Sequence, residues 1–354
     1  MTAGGRIRYF SADYLEARER FRDLSARAGA RLDVLELSAR GPSGEDLSID
    51  IASVGPPAAR RILLHSSGMH GVEGFAGSAV QLQLLDDLPS TAADTAIVLT
   101  HILNPWGMAW LRRVNENNVD LNRNFFPEGG YSGAPDIYAS ADALLNPKSP
   151  PSHDFFFLKA LALVARYGMA SAKQAVAGGQ YEFPKGLFFG GRRLEEGPEK
   201  YLRFLQDRLA SAAVIHAIDT HTGLGRRGQA PTLAAPGDYE RARRIFGDSV
   251  PPADPDRNPS YLTRGGLGSA IARSLPQADT LFVTQEFGTC HPIRAVQALR
   301  EENRWFHYGA GALDHPARRA LMETFAPDDD RWREGVLQAG RALVDRAWRS
   351  LSDG

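Results

Sequence analysis

The chain has a single cysteine, Cys290, which excludes an internal disulfide and any metal site built from thiolates, and fits a reducing compartment. Net charge is almost absent, with 41 Lys and Arg against 42 Asp and Glu. Nothing in that balance draws the protein towards nucleic acid or an anionic membrane. Every apolar stretch is broken by charge or glycine well short of the ~18 residues that a spanning helix needs. The first residues, with Arg6, Arg8 and the charged segment from Tyr14 to Phe21, lack the apolar core of a secretory signal, so a cytoplasmic location is expected. There is no Gly-x-Ser-x-Gly elbow and no Walker loop, which leaves serine hydrolase and nucleotide hydrolase readings without an anchor. Gly223-Leu-Gly-Arg-Arg-Gly228 matches a dinucleotide fingerprint as a string, but the Gln-Ala-Pro-Thr after it cannot open the helix which that fold requires.

What is present suffices for a large core: 354 residues, 43% hydrophobic and 23% charged. Residues 10–30 have the period of an amphipathic helix. Residues 31–37 and 47–54 alternate apolar with polar, as half-exposed antiparallel strands do, with Gly41-Pro-Ser-Gly44 between them. Ile62-Leu-Leu-His65 reads as a buried strand, residues 74–88 as a helix, and the run from Thr95 as a second buried strand ended by Asn104-Pro-Trp-Gly107. Strand, helix, strand is a parallel crossover. Further buried strands are expected at 213–219 and 280–285, and helices at 153–177, 291–304 and 328–350. The pattern predicts a single three-layer α/β/α domain with a mixed, mostly parallel central sheet. Residues 1–58 form its N-terminal helix and hairpin, and the less regular residues 126–212 are an insertion that shapes the pocket.

Chemistry-bearing residues follow the ends of these strands, where functional groups collect in open α/β sheets. His70-Gly-Val-Glu73 comes just past the first buried strand, Asp219-Thr-His221 at the third, and Gln285-Glu286 at the fourth. His70, Glu73 and His221 make a two-histidine, one-carboxylate set with an open position, the ligand set of a catalytic zinc. Glu286, held close but off the metal, is placed to take a proton from water and deliver it to a leaving amine. Asp120 and Asp219 are each candidates to accept the outer N–H of a ligating imidazole. Arg113 is the candidate oxyanion stabiliser, with Arg112 the competing choice. Asn122-Arg123 suits a substrate carboxylate, because a guanidinium fork binds one bidentately.

In this order the motifs resemble the zinc carboxypeptidase superfamily: His-x-x-Glu, an arginine ahead of an Asn-Arg pair, a third ligand histidine and a late glutamate. The match runs from about Ile62 to Gly288, and Asn104-Pro-Trp-Gly with Asp120-Leu-Asn-Arg-Asn-Phe125 is especially close to bacterial carboxypeptidases and murein-peptide amidases. The resemblance implies one Zn2+ per chain on His70, Glu73 and His221, Glu286 as general base, Arg113 on the oxyanion, and Asn122 with Arg123 on the substrate carboxylate. The family's closing tyrosine falls on Tyr261 by order. The Gly178-Gly-Gln-Tyr and Gly186-Leu-Phe-Phe-Gly-Gly segments look like an uncharacterised bacterial branch. The expected substrate is a peptide, or an N-acyl amino acid if the chain is similar to the aspartoacylase and succinylglutamate desuccinylase deacylases of the same superfamily. A non-catalytic carboxylate binder is the opposing class.

The remaining polar residues have plainer readings. His65, His101 and His216 sit inside apolar strand patterns and read as hydrogen-bonded core histidines. His291, His307 and His315 flank helices and are expected near solvent. Glu195-Glu196 and Asp328 to Asp330 read as solvated helix starts, and Cys290 as a small packing residue. Oligomeric state leaves no mark on the sequence.

Overall fold

The structure, a computed structural model, describes residues 7–90, 93–126, 130–252, 264–310 and 313–352. Helix α1 (Tyr14–Arg27) opens on Asp13, whose carboxylate accepts the Glu16 amide, the usual device for an orphan N–H at a helix start. The hairpin β1 (Arg31–Arg40) and β2 (Asp46–Val54) pairs antiparallel. Then come β3 (Arg61–Ser67), α2 (Gly74–Asp86), β4 (Thr95–His101) and the short α3 (Pro105–Ala109). Residues 126–212 carry α4 (Asp136–Leu145), α5 (Phe156–Tyr167), α6 (Met169–Ala177) and α7 (Glu196–Arg208). After it follow β5 (Val214–Thr222), β6 (Thr232–Ala234), α8 (Tyr239–Phe246), α9 (Leu267–Ser274) and β7 (Asp279–Phe287). Helices α10 (Pro292–Tyr308), α11 (Pro316–Phe325) and α12 (Asp330–Ser352) close the chain. Among the described residues no helix is long and apolar enough to cross a membrane.

The seven strands form one mixed sheet in the order β1-β2-β4-β3-β5-β7-β6. Its centre, β4-β3-β5-β7, is parallel, and antiparallel partners flank it on both sides. The alternation of side chains explains why helices must cover both faces. Ile62 and Leu64 point into a core shared with Tyr201 and Leu205 of α7 and Leu267 and Ile271 of α9. Leu63 points the other way, among Phe21 of α1, Leu82 of α2 and Leu337 and Val344 of α12. The three-layer α/β/α architecture with a mixed, mostly parallel sheet is therefore the fold.

One expectation about elements is corrected, and one strand was not foreseen. The helix expected over 153–177 is broken in two at Gly168, whose φ of +81° is open to glycine and costly to other residues. The edge strand β6 is three residues long and too short to carry a periodic signal.

Strand order reverses at β3, with β4 on one side and β5 on the other. The crevice at the carboxyl ends of β3 and β5 is thus the topological switch point of the sheet, where ligands bind in open α/β folds. The loop leaving β3 is pinned there: Gly71 N donates to Arg113 O at 3.2 Å and Val72 N to Arg112 O at 2.9 Å. A Cβ on Gly71 would overlap the backbone of Gly107 and Met108. Gly71→Ala is therefore expected to displace this loop and destabilise the protein by ~1–3 kcal/mol, as overpacking does. Denaturant unfolding checks this; a stability equal to wild type would show that the contact is loose.

Candidate metal centre

His70 and Glu73 lie on the pinned loop after β3, with Glu73 ending a 3-10 turn that leads into α2. His221 is near the end of β5, and its side chain leans into the same crevice. The structure brings the three together: one ligand atom from each lies within 4.8 Å of the others. His70 Nδ1 is 2.9 Å from Glu73 Oε1, His221 Nδ1 is 3.1 Å from Glu73 Oε2, and the two Nδ1 atoms are 3.1 Å apart. All three residues are at most 3% exposed, so a bare cluster of these groups would be costly.

The outer ring nitrogens are held by carboxylates. His70 Nε2 lies 3.0 Å from Asp120 Oδ1 and 2.8 Å from Arg113 Nη2, and His221 Nε2–H donates to Asp219 Oδ2 at 2.7 Å. The sequence left open which aspartate supports a ligand; each supports one. With each Nε2 engaged by these neighbours, Nδ1 is the nitrogen left to coordinate a cation. Two nitrogens bound at about 2.1 Å and a tetrahedral angle stand about 3.4 Å apart, close to the observed spacing. Ser66 Oγ donates to the other oxygen of Asp219 at 2.6 Å, and the Asn122 amide donates to Asp120 at 3.1 Å, so both supports are themselves fixed.

The electrostatics fit a cation. Burial works to raise the Glu73 carboxyl, but His70, Arg113 and the His221 hydrogen bond outweigh it and hold the group well below the usual carboxylate range. Asp120 is also held low against burial, by Arg123, His70 and Arg113. Burial opposes the charged form of His221, yet Asp219 and Glu73 keep it well above the ordinary imidazole value. Proton release on cation uptake is therefore expected. Asp219→Ala removes the acceptor behind His221 and is expected to weaken metal binding ~10–100-fold. Competition with a fluorescent zinc chelator measures this, and unchanged affinity would remove Asp219 from the support of the site.

Glu286 on β7 is the direct register partner of His221 on β5, so both side chains leave the sheet on the same side of neighbouring strands. Burial pushes its carboxyl up to about 8, helped by Glu73 and opposed by His221 and Arg113. Its Oε2 is buried without a hydrogen-bond partner. A buried carboxylate oxygen left in this state beside a ligand cluster is what a site for water or substrate requires.

Of the two arginines, Arg113 faces the centre. Its Nη1 donates to Glu73 Oε1 at 2.6 Å and its Nη2 reaches Asp120 Oδ2 at 3.4 Å, while Phe188 lies 5.4 Å beneath the guanidinium. Arg112 points away, to Glu302 Oε1 at 2.7 Å and onto the ring of Phe306. Asn122 is half-buried and accepts the Leu267 amide at 3.4 Å. Arg123 is fully buried and is not presented as an open fork. It donates to Ala177 O from Nε at 3.2 Å and Nη2 at 2.6 Å, and to Asn122 O from Nη1 at 2.9 Å. Ala177 ends α6, so the 126–212 segment reaches Arg123 through this contact. Gly179 packs against the Arg123 side chain with a φ of +104°. The Tyr181 hydroxyl donates to Arg123 O at 2.8 Å. Tyr261 lies outside the described residues.

Among the other polar residues, Glu195 and His307 depart from their sequence reading. Glu195 is buried rather than solvated, accepting from Asn115 Nδ2 at 2.8 Å and Asn117 Nδ2 at 2.6 Å. His307 is half-buried, and burial with Arg112 and Lys185 nearby lowers it to about 4. His291 and His315 are helix caps that accept the Ile293 and Ala317 amides. His65, His101 and His216 are core histidines, each hydrogen-bonded. Burial pushes the Cys290 thiol up, against a reactive role.

Fold and crevice together define the class: a three-layer α/β/α domain whose switch point carries a His-Glu-His cluster able to hold a metal ion. The family model described as "Protein of unknown function (DUF2817)" matches residues 10–339, and the chain belongs to that family. No curated protein matches. Among solved structures, thrombin activatable fibrinolysis inhibitor (TAFI) superposes with a TM-score of 0.50 at 11% identity, over 97% of this chain and 75% of that one. Carboxypeptidase A from Helicoverpa armigera gives 0.46 at 14% identity, over 94% and 73%. Murein-tripeptide amidase MpaA from Escherichia coli O157 gives 0.37 at 15% identity, over 79% and 95%. At 11% identity the first of these speaks to the fold alone.

Proposed function

We propose that the protein is a zinc-dependent hydrolase that cleaves an amide bond next to a free carboxylate. The observation that carries this reading is the convergence of the two Nδ1 atoms on Glu73 while each Nε2 is held by its own aspartate. His70, Glu73 and His221 would hold the ion, which when bound polarises a carbonyl and acidifies water. Glu286 takes a proton from the attacking water and passes it to the departing amine nitrogen. Arg113 turns its N–H groups to the oxygen that gains charge as the carbonyl is attacked, leaving Glu73 to the cation. Asn122 and Arg123 receive the substrate carboxylate, which for Arg123 means taking the place of the Ala177 carbonyl.

A second reading, an N-acyl-amino-acid deacylase, is favoured by the closeness of the site. Its ligands are buried and the insertion packs directly on Arg123, which suits a small substrate better than a long peptide. Metal analysis with hydrolysis of a panel of dipeptides and N-acyl amino acids, each as free acid and as amide, tests both. Turnover confined to free acids supports the proposal, and the preferred half of the panel separates peptidase from deacylase. A zinc-loaded protein that binds these compounds and cleaves none would overturn it in favour of a carboxylate binder.

A further inference from the structure

We propose that Arg318, Arg112 and the indole N–H of Trp305 form a buried site for one small monovalent anion of the halide class, between α10 and α11. Arg318 is 1% exposed, yet Nε, Nη1 and Nη2 all lack a hydrogen-bond partner. Arg112 Nη1 and Trp305 Nε1 are buried and unpartnered as well. Guanidinium and indole nitrogens can only donate, so what the group lacks is an acceptor. Buried polar groups left in this way are rare and call for an explanation.

The charges point the same way. Arg112 and Arg318 bring two positive charges, and Glu302, whose carboxylate already takes the Arg112 Nε–H, brings one negative. One positive charge remains inside the protein, and an isolated buried charge is strongly disfavoured. The position of Arg318 adds to this, since it lies in the first turn of α11, the end of a helix where the dipole favours anions over cations. Its guanidinium lies 4.6 Å from the centre of the Trp305 ring, which secures its place without supplying an acceptor. Burial, with Arg112 adding to it and Glu302 opposing, lowers Arg318 to about 10, as expected of a cation short of counter-charge. A water could accept one or two of these hydrogen bonds but would leave the charge. All of these donor atoms are sealed from solvent, so a single-atom anion is the simplest acceptor that also brings the missing charge. None of these groups is used in the proposed hydrolysis, so the inference stands or falls apart from it.

The test uses the zinc-loaded full chain. Thermal unfolding is followed as chloride replaces gluconate at constant ionic strength, and crystals soaked in bromide are examined by anomalous diffraction. A saturable rise in Tm with chloride is expected, with a bromide peak in hydrogen-bond reach of the Arg318 guanidinium and Trp305 Nε1. Arg318→Met should keep its Tm in gluconate and lose the chloride response. If that variant does not fold, the wild-type titration and the bromide peak decide. A Tm indifferent to chloride, a site occupied by water alone, or a peak without a saturable Tm response, which marks an adventitious ion only, would each overturn the proposal.

Discussion

Glu286→Gln should lower turnover by about 10^2–10^4-fold, the range associated with a positioned general acid–base group, while the protein binds its metal as before. The amide has nearly the shape of the carboxylic acid but cannot take a proton from water. Because Glu286 is beside the ligand cluster and not in it, metal content measured on the same sample should match wild type. Stability gives a second readout with a definite sign. In the metal-free protein the folded carboxyl is pushed up to about 8 from an ordinary value of 4.5. Folding therefore disfavours its charged form, and stability falls as pH rises between those values. The variant should lose this slope and be as stable as wild type, or more so, at about pH 8. A Glu286→Gln variant hydrolysing the preferred substrate within a few-fold of wild type would take Glu286 out of the mechanism.

Removing the metal should have the larger effect. Dialysis against a chelator is expected to take hydrolysis to background, a loss of at least ~10^3-fold given the several kcal/mol that a bound cation supplies to the transition state. Added zinc should restore it, with protons released on uptake as His221 gives up its Nδ1 proton. Tm should also fall on removal, since an ion held by the folded state alone stabilises it by mass action. His221→Ala should reproduce both losses and resist rescue by zinc. Full activity in protein shown by elemental analysis to be metal-free would defeat the hydrolase reading at its base.

The central sheet was legible because its strands are short apolar runs, Ile62 to His65 and 213–219 among them, whose burial on both faces leaves an uninterrupted hydrophobic signal. The convergence of His70, Glu73 and His221 was legible for a related reason: each follows such a run, and strand ends in this fold meet at one edge. What escaped the sequence depends on partners distant along the chain. Helices α4, α8, α9 and α11 went unassigned, α7 was marked by its start alone, and Glu195 there looked like a solvated cap until Asn115 and Asn117 were brought against it by the fold. Arg123 looked like an open fork, because nothing near residue 123 announces the carbonyl of Ala177. The pairing of Asp120 with His70 likewise joins residues 50 apart in the chain.

That register has a consequence for how such a site can change. In a parallel pair the side chains alternate with a period of two, and His221 stands level with Glu286. Sliding β7 by one position would leave a well-formed ladder yet turn the glutamate to the opposite face, among the aliphatic side chains under α12. Insertions or deletions within 279–286 should therefore be far more damaging to activity than ones of equal size in the loops beyond, even where the strand itself survives.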